Sequence, residues 1–116
     1  MMRLGTLERK VMDVLWEDPD ATLTGREVAD QLPEYAYTTI ATILERLARK
    51  ELLMRDAQDR IIRYSASDTR AVHIALLMRE ALDSTRDPDA ALSCFVQRLT
   101  PELVEALRAS LGDTKA

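Results

Sequence analysis

The sequence predicts a mainly α-helical fold interrupted by one small β-hairpin. Three observations carry this. Apolar residues recur at three- and four-residue spacing through most of the chain, the period of helices that bury one face. Between Leu52 and Tyr64 that period gives way to two short apolar runs flanking a polar turn, which is the pattern of a hairpin. Only three Gly and four Pro occur in 116 residues, so breakers are few and each one marks a boundary.

The first helix is expected from about Thr6 to Glu17. Thr6 is its candidate cap, and Leu7, Val11, Val14 and Leu15 fall on one face. Asp18-Pro19-Asp20 stops it, and Thr22-Leu23 leaves room only for a bridging strand. Thr24-Gly25-Arg26-Glu27 is a capping box that opens a second helix. This helix buries Val28, Ala29 and Leu32 and ends at Pro33. A third helix starts near Tyr37 or Thr38 and runs to about Lys50. Ile40, Ile43, Leu44 and Leu47 make its apolar stripe, while Thr38, Thr39, Thr42, Arg46 and Arg49 lie on the opposite side.

Leu52–Arg55 and Ile61–Tyr64 read as strands, with Asp56 to Arg60 as the turn. Three helices followed at once by a hairpin describe a winged helix-turn-helix. Its core is expected from Leu7, Val11, Leu15, Val28, Leu32, Ile40 and Leu44. After a polar joint at Ser65–Asp68 the chain is helical again. A fourth helix is expected over about 68–84. A fifth is set by Asp87-Pro88 and a sixth by Thr100-Pro101, each a cap residue followed by Pro at the first helical position. Gly112 is expected to end the sixth. The organisation is then a winged-helix lobe over 1–66 and a helical dimerisation region over 67–116. The last three helices carry more apolar surface than they can hide on one another. Leu77, Leu82, Phe95, Val96, Leu103 and Leu107 are expected to pack against a second chain.

Charge sharpens the functional reading. The net charge is −4, an unpromising sum for a nucleic-acid binder. It is unevenly spread: residues 8–34 hold three cations against eight acids, a net of −5, and residues 46–63 hold six cations against three acids, a net of +3. A polyanion responds to the nearby patch, since remote charges are screened over roughly 8–10 Å. Thr and Arg on the outer face of a third helix suit phosphates and base edges. The expected DNA contacts are therefore Thr38, Thr39, Thr42, Arg46, Arg49 and Lys50 of the helix, with Arg60 and Arg63 of the hairpin. Tyr37 joins them with two readings open: a core ring beneath the helix start, or a hydroxyl offered to phosphate.

Catalysis has no support. There is no nucleophile–base pair and no Gly-rich phosphate loop, and one His with one Cys makes no metal site; no cofactor or metal is expected. Cys94 reads as a small buried hydrophobe rather than a redox switch. His73, on a polar helix turn, reads as neither a pH nor a ligand switch, and Trp16 reads as core. The opening Met-Met-Arg-Leu-Gly lacks the apolar run of a signal peptide. Apolar stretches such as Ile74–Met78 are too short to span a bilayer. A cytoplasmic protein without membrane insertion is expected.

Ala36-Tyr37-Thr38-Thr39-Ile40, followed by Thr42, Leu44, Arg46-Leu47 and Lys50, resembles the penicillinase-repressor family (BlaI/MecI/CopY). The Leu7-Glu8, Val11-Met12 and Leu15-Trp16 pairs and the wing ending in Arg63-Tyr64 fit the same pattern. The resemblance implies a homodimeric repressor on a palindromic double-stranded operator with a TACA/TGTA dyad. It implies control of β-lactam-resistance-like or stress-response genes, and release by a signal that weakens the dimer. In β-lactam-responsive members a membrane-bound sensor protease triggers cleavage at an Asn-Phe bond. That bond aligns here with Cys94-Phe95, the candidate cleavage site, without its Asn. The Cys cluster of the copper-responsive members is absent. Glu51 stands where the family often has Gly, and the wing turn also lacks Gly. The competing reading is a winged-helix protein–protein interaction module that binds no DNA.

Overall fold

The computed structural model describes residues 3–113; the remaining residues of the expected 1–66 and 67–116 segments, 1, 2 and 114–116, lie outside the described residues. The element order is α1 (Thr6–Trp16), β1 (Leu23–Thr24), α2 (Gly25–Gln31), α3 (Tyr37–Arg49), β2 (Leu53–Gln58), β3 (Ile61–Ala66), α4 (Arg70–Asp83), α5 (Pro88–Gln97) and α6 (Pro101–Asp113). The chain divides into two compact units, residues 1–77 and 78–116. The division falls inside α4.

In the first unit, α1, α2 and α3 pack around one core. Val11, Met12, Leu15, Val28, Ile40, Leu44 and Leu47 are almost wholly out of solvent, the stripe that helical periodicity anticipates. Of the expected core, Leu7 alone is only partly buried. The cap of α1 differs from expectation. Gly5 holds the cap position and Thr6 is the first helical residue. The Glu8 side chain reaches back to accept the Gly5 N–H at 3.1 Å, satisfying an amide the helix itself leaves open. The capping box of α2 forms as expected: Thr24 Oγ1 accepts from Glu27 N–H at 3.1 Å, and Glu27 Oε1 from Thr24 N–H at 2.8 Å.

The sheet order is β1-β3-β2, all antiparallel. The two-residue β1 pairs Leu23 with Tyr64 and Thr24 with Arg63. The hairpin is longer and its turn tighter than the sequence suggests. Pairing continues to Gln58↔Ile61, leaving only Asp59 and Arg60 in the turn. Both have positive φ, 52° and 68°, as a type I′ hairpin requires. Polar Asp56 and Gln58 are no obstacle, because this stretch faces water and needs only its ladder hydrogen bonds.

Glu51 meets the demanding conformation that the absence of Gly made doubtful. Its φ is 67°, and the end of α3 closes as a Schellman motif. Leu52 N–H donates to Leu47 O and Glu51 N–H to Ala48 O, both at 3.0 Å.

His73 departs from expectation. It is 3% exposed and packs against Trp16 with ring centroids 5.1 Å apart and planes tilted by 41°; the Trp16 indole N–H donates to the Asp68 carbonyl at 3.2 Å. Neither His73 ring nitrogen has a hydrogen-bond partner. The first turns of α4 lie on this unit's core, so a residue that looks polar in sequence is drawn inside.

In the second unit, α5 starts at the expected Asp87 cap, which accepts Ala90 N–H at 3.1 Å. For α6, the Thr100 hydroxyl accepts Leu103 N–H at 3.2 Å. Gly112 does not stop α6, which continues to Asp113; one Gly costs a helix only about 1 kcal/mol. No described residue from Met78 onward is buried. Cys94 is accordingly exposed, not a core residue; no residue of α5 is buried. Phe95 is 44% and Leu103 53% exposed. Met78, Leu82, Leu92 and Phe95 line an open apolar groove of about 310 Å³.

Candidate nucleic-acid interface

The stripe that buries Ile40, Ile43, Leu44 and Leu47 fixes the rotation of α3. The opposite side must then face water, and Thr38, Thr39, Thr42, Arg46 and Arg49 are all exposed along it. The Thr42 hydroxyl donates to Thr38 O at 3.0 Å, which leaves its oxygen outward as an acceptor.

The cations sort into two groups. Among the described residues, Arg46, Arg49, Arg55 and Arg60 have no carboxylate within ion-pair distance. Lys50 and Arg63 are engaged. Lys50 Nζ donates to Glu8 Oε2 at 2.8 Å, and Arg63 lies 3.9 Å from Glu27. Burial pushes the Glu8 carboxyl up. The Lys50 hydrogen bond, the Gly5 amide and the charges of Lys50 and Arg46 outweigh this and hold it below the usual range.

Tyr37 is not a buried core ring. Its ring lies over Gly25, yet it is 43% exposed. A cleft of about 340 Å³ between α2, α3 and the hairpin brings Tyr37 and Arg60 together with Arg26 and Glu45. Sequence reasoning passes over Arg26, whose place inside a capping box looks purely structural. Cys94 and Phe95 sit within α5, and the Cys94 carbonyl accepts from the Arg98 guanidinium at 3.1 Å. No group of three or more His, Cys, Asp or Glu able to hold a metal occurs among the described residues. No described helix is long and apolar enough to cross a membrane.

The penicillinase repressor family profile matches residues 4–113, nearly the whole chain. The chain belongs to the penicillinase repressor family. Consistent with this, it is 38% identical over 121 residues to the transcriptional regulator BlaI of Mycobacterium tuberculosis, covering 100% of this chain and 88% of that protein. This penicillinase-repressor chain is thus a BlaI-type transcriptional regulator, not an enzyme. Its fold is also that of solved winged-helix structures at low identity. The YusO protein of Bacillus subtilis aligns with a TM-score of 0.54 and 18% identity, over 98% of this chain and 78% of that one. A point mutant of MepR from S. aureus aligns at 0.53 and 18%, over 95% and 76%.

Proposed function

We propose that this regulator is a repressor that binds a palindromic duplex operator as a homodimer. The observation that carries this is the outer face of α3. Its three threonines and two unpaired arginines lie beside a hairpin whose turn presents Arg60. Thr38, Thr39, Thr42 and Arg46 reach base edges in the major groove. Arg49, Arg60 and Arg63 hold phosphates, Lys50 adds charge while tethered to Glu8, and Tyr37 stands at the rim.

The second unit supplies the dimer contact. None of its described residues is fully buried within the chain, and Leu82, Phe95, Val96, Leu103 and Leu107, with Leu77 just before it, are the side chains a second copy would cover. Residues 1–66 then read DNA and 67–116 pair the subunits. Two linked half-sites bind far more tightly than one, so a signal that weakens the dimer frees the genes it controls, of the resistance or stress-response kind. A membrane-bound sensor protease acting indirectly fits this scheme if α5 unwinds, because Cys94–Phe95 is a helical peptide bond. The protein works in the cytoplasm.

The test is a titration against the duplex upstream of its own gene at several salt concentrations. If a dimer neutralises ~6–10 phosphates, log affinity against log salt slopes about −5 to −9. Arg46→Ala weakens specific binding by about 1–3 kcal/mol and non-specific binding less. A flat salt dependence, or an Arg46→Ala variant with unchanged sequence preference, overturns the reading.

A further inference from the structure

Arg26 is held by an aromatic ring. Its guanidinium carbon lies 4.5 Å from the centroid of the Tyr37 ring. Among the described residues no carboxylate comes within ion-pair distance of it. The ring beneath is itself fixed. A Cβ added at Gly25 would stand 3.5 Å from the Tyr37 hydroxyl oxygen and 3.7 Å from Cε1, so the tyrosine rests against the backbone at the start of α2.

The surroundings are equally constrained. Arg26 follows two residues after Thr24, which pairs with Arg63 in the sheet, and Glu27 lies 3.9 Å from Arg63. The hairpin is therefore tethered to the segment that carries Arg26. Between them lies the cleft of about 340 Å³, whose charged lining is Arg26, Arg60 and Glu45. Two cations against one acid make it a site for an anion. An arginine held over an aromatic ring with no carboxylate partner keeps N–H donors free for a phosphate. It also loses less conformational freedom on binding than a mobile side chain.

We propose that Arg26 clamps a backbone phosphate of duplex DNA at this cleft, with Tyr37 as the positioning residue that holds its guanidinium. The proposal rests on the DNA-binding reading above and adds a contact to it. The clamp reads no sequence; it sets the height and tilt at which α3 meets the bases.

The experiment uses the full chain with two probes, the duplex upstream of its own gene and a mixed-sequence duplex, over a range of salt. Arg26→Ala makes the log–log salt slope shallower by about one per chain, equally on both duplexes, with an unchanged thermal melt. Arg26→Lys restores the slope but not the full affinity, because an ammonium keeps the charge and not the guanidinium's forked set of donors. Tyr37→Leu, which removes the ring, weakens binding on both duplexes and costs nothing further in the Arg26→Ala background. If the wild type shows a steep slope and Arg26→Ala matches it, the clamp is overturned while DNA binding stands. If the wild-type slope is itself flat, both are overturned. A loss confined to one duplex, or a full further loss when Tyr37→Leu is added to Arg26→Ala, also defeats the assignment.

Discussion

The Lys50 ammonium donates to Glu8 Oε2 across 2.8 Å, tying the C-terminal end of α3 to the first turn of α1. Glu8 is nearly out of solvent, and its other oxygen accepts the Gly5 amide. One carboxylate thus caps α1 and anchors the helix that presents the interface.

Lys50→Met strands that carboxylate and lowers stability by about 1–2 kcal/mol at neutral pH, discounted for the partly exposed lysine. Glu8 is held below its ordinary range in the fold. Its contribution is therefore complete above the unfolded value of about 4.3 and is lost as pH falls through the lower, folded value. Urea melts of both proteins should converge in acid. A constant gap down to the lowest pH would show that the pair contributes nothing through charge.

Glu51→Gly raises stability by about 1 kcal/mol. The residue sits at the left-handed position of a Schellman motif with φ 67°, which glycine adopts without steric cost. Glu51→Val, bulky and β-branched, goes the other way by more. The midpoint of urea unfolding measures both, and no gain in the glycine variant would mean the strain is already relieved.

His73 makes the protein acid-sensitive at a higher pH than Glu8 does. Desolvation, then the charge of Arg9, lowers its pKa. Arg70 lies over the Trp16 ring, and Glu51 and Asp68 line the cavity it shares. A histidine held neutral contributes fully above its unfolded value of about 6.5, and that stability is lost as pH falls below it. His73→Phe should flatten the stability profile between about pH 6.5 and 5. An identical profile in that variant counts against a buried neutral imidazole.

Phe95→Asp places a charge among the exposed apolar side chains of α5 and should split the proposed dimer. Each large apolar side chain covered by a partner contributes about 1.5–3 kcal/mol. The winged-helix unit keeps its own core, so circular dichroism changes little while operator affinity falls steeply. Analytical ultracentrifugation decides the point: a variant that stays a tight dimer, or a wild type that is monomeric at micromolar concentration, removes the dimer from the mechanism.

The sequence by itself determined the helices, the hairpin and the outward face of α3. The Thr24–Glu27 capping box, the Asp87-Pro88 and Thr100-Pro101 starts and the stripe from Ile40 to Leu47 are all signals within a few residues of one another, and local spacing is enough to read them. The exceptions at this level, the cap of α1, the narrow wing turn and the run of α6 through Gly112, are shifts of boundary. Tertiary structure alone decided which charged and polar residues are free. Lys50 meets Glu8 and Arg70 meets Asp13 across 42 and 57 residues, Arg26 finds Tyr37 because α2 and α3 pack on one core, and His73 is buried beside Trp16. A chain read residue by residue shows the charges it carries. Whether each one faces water, a partner or the core depends on contacts between segments distant in sequence, and no local pattern encodes them.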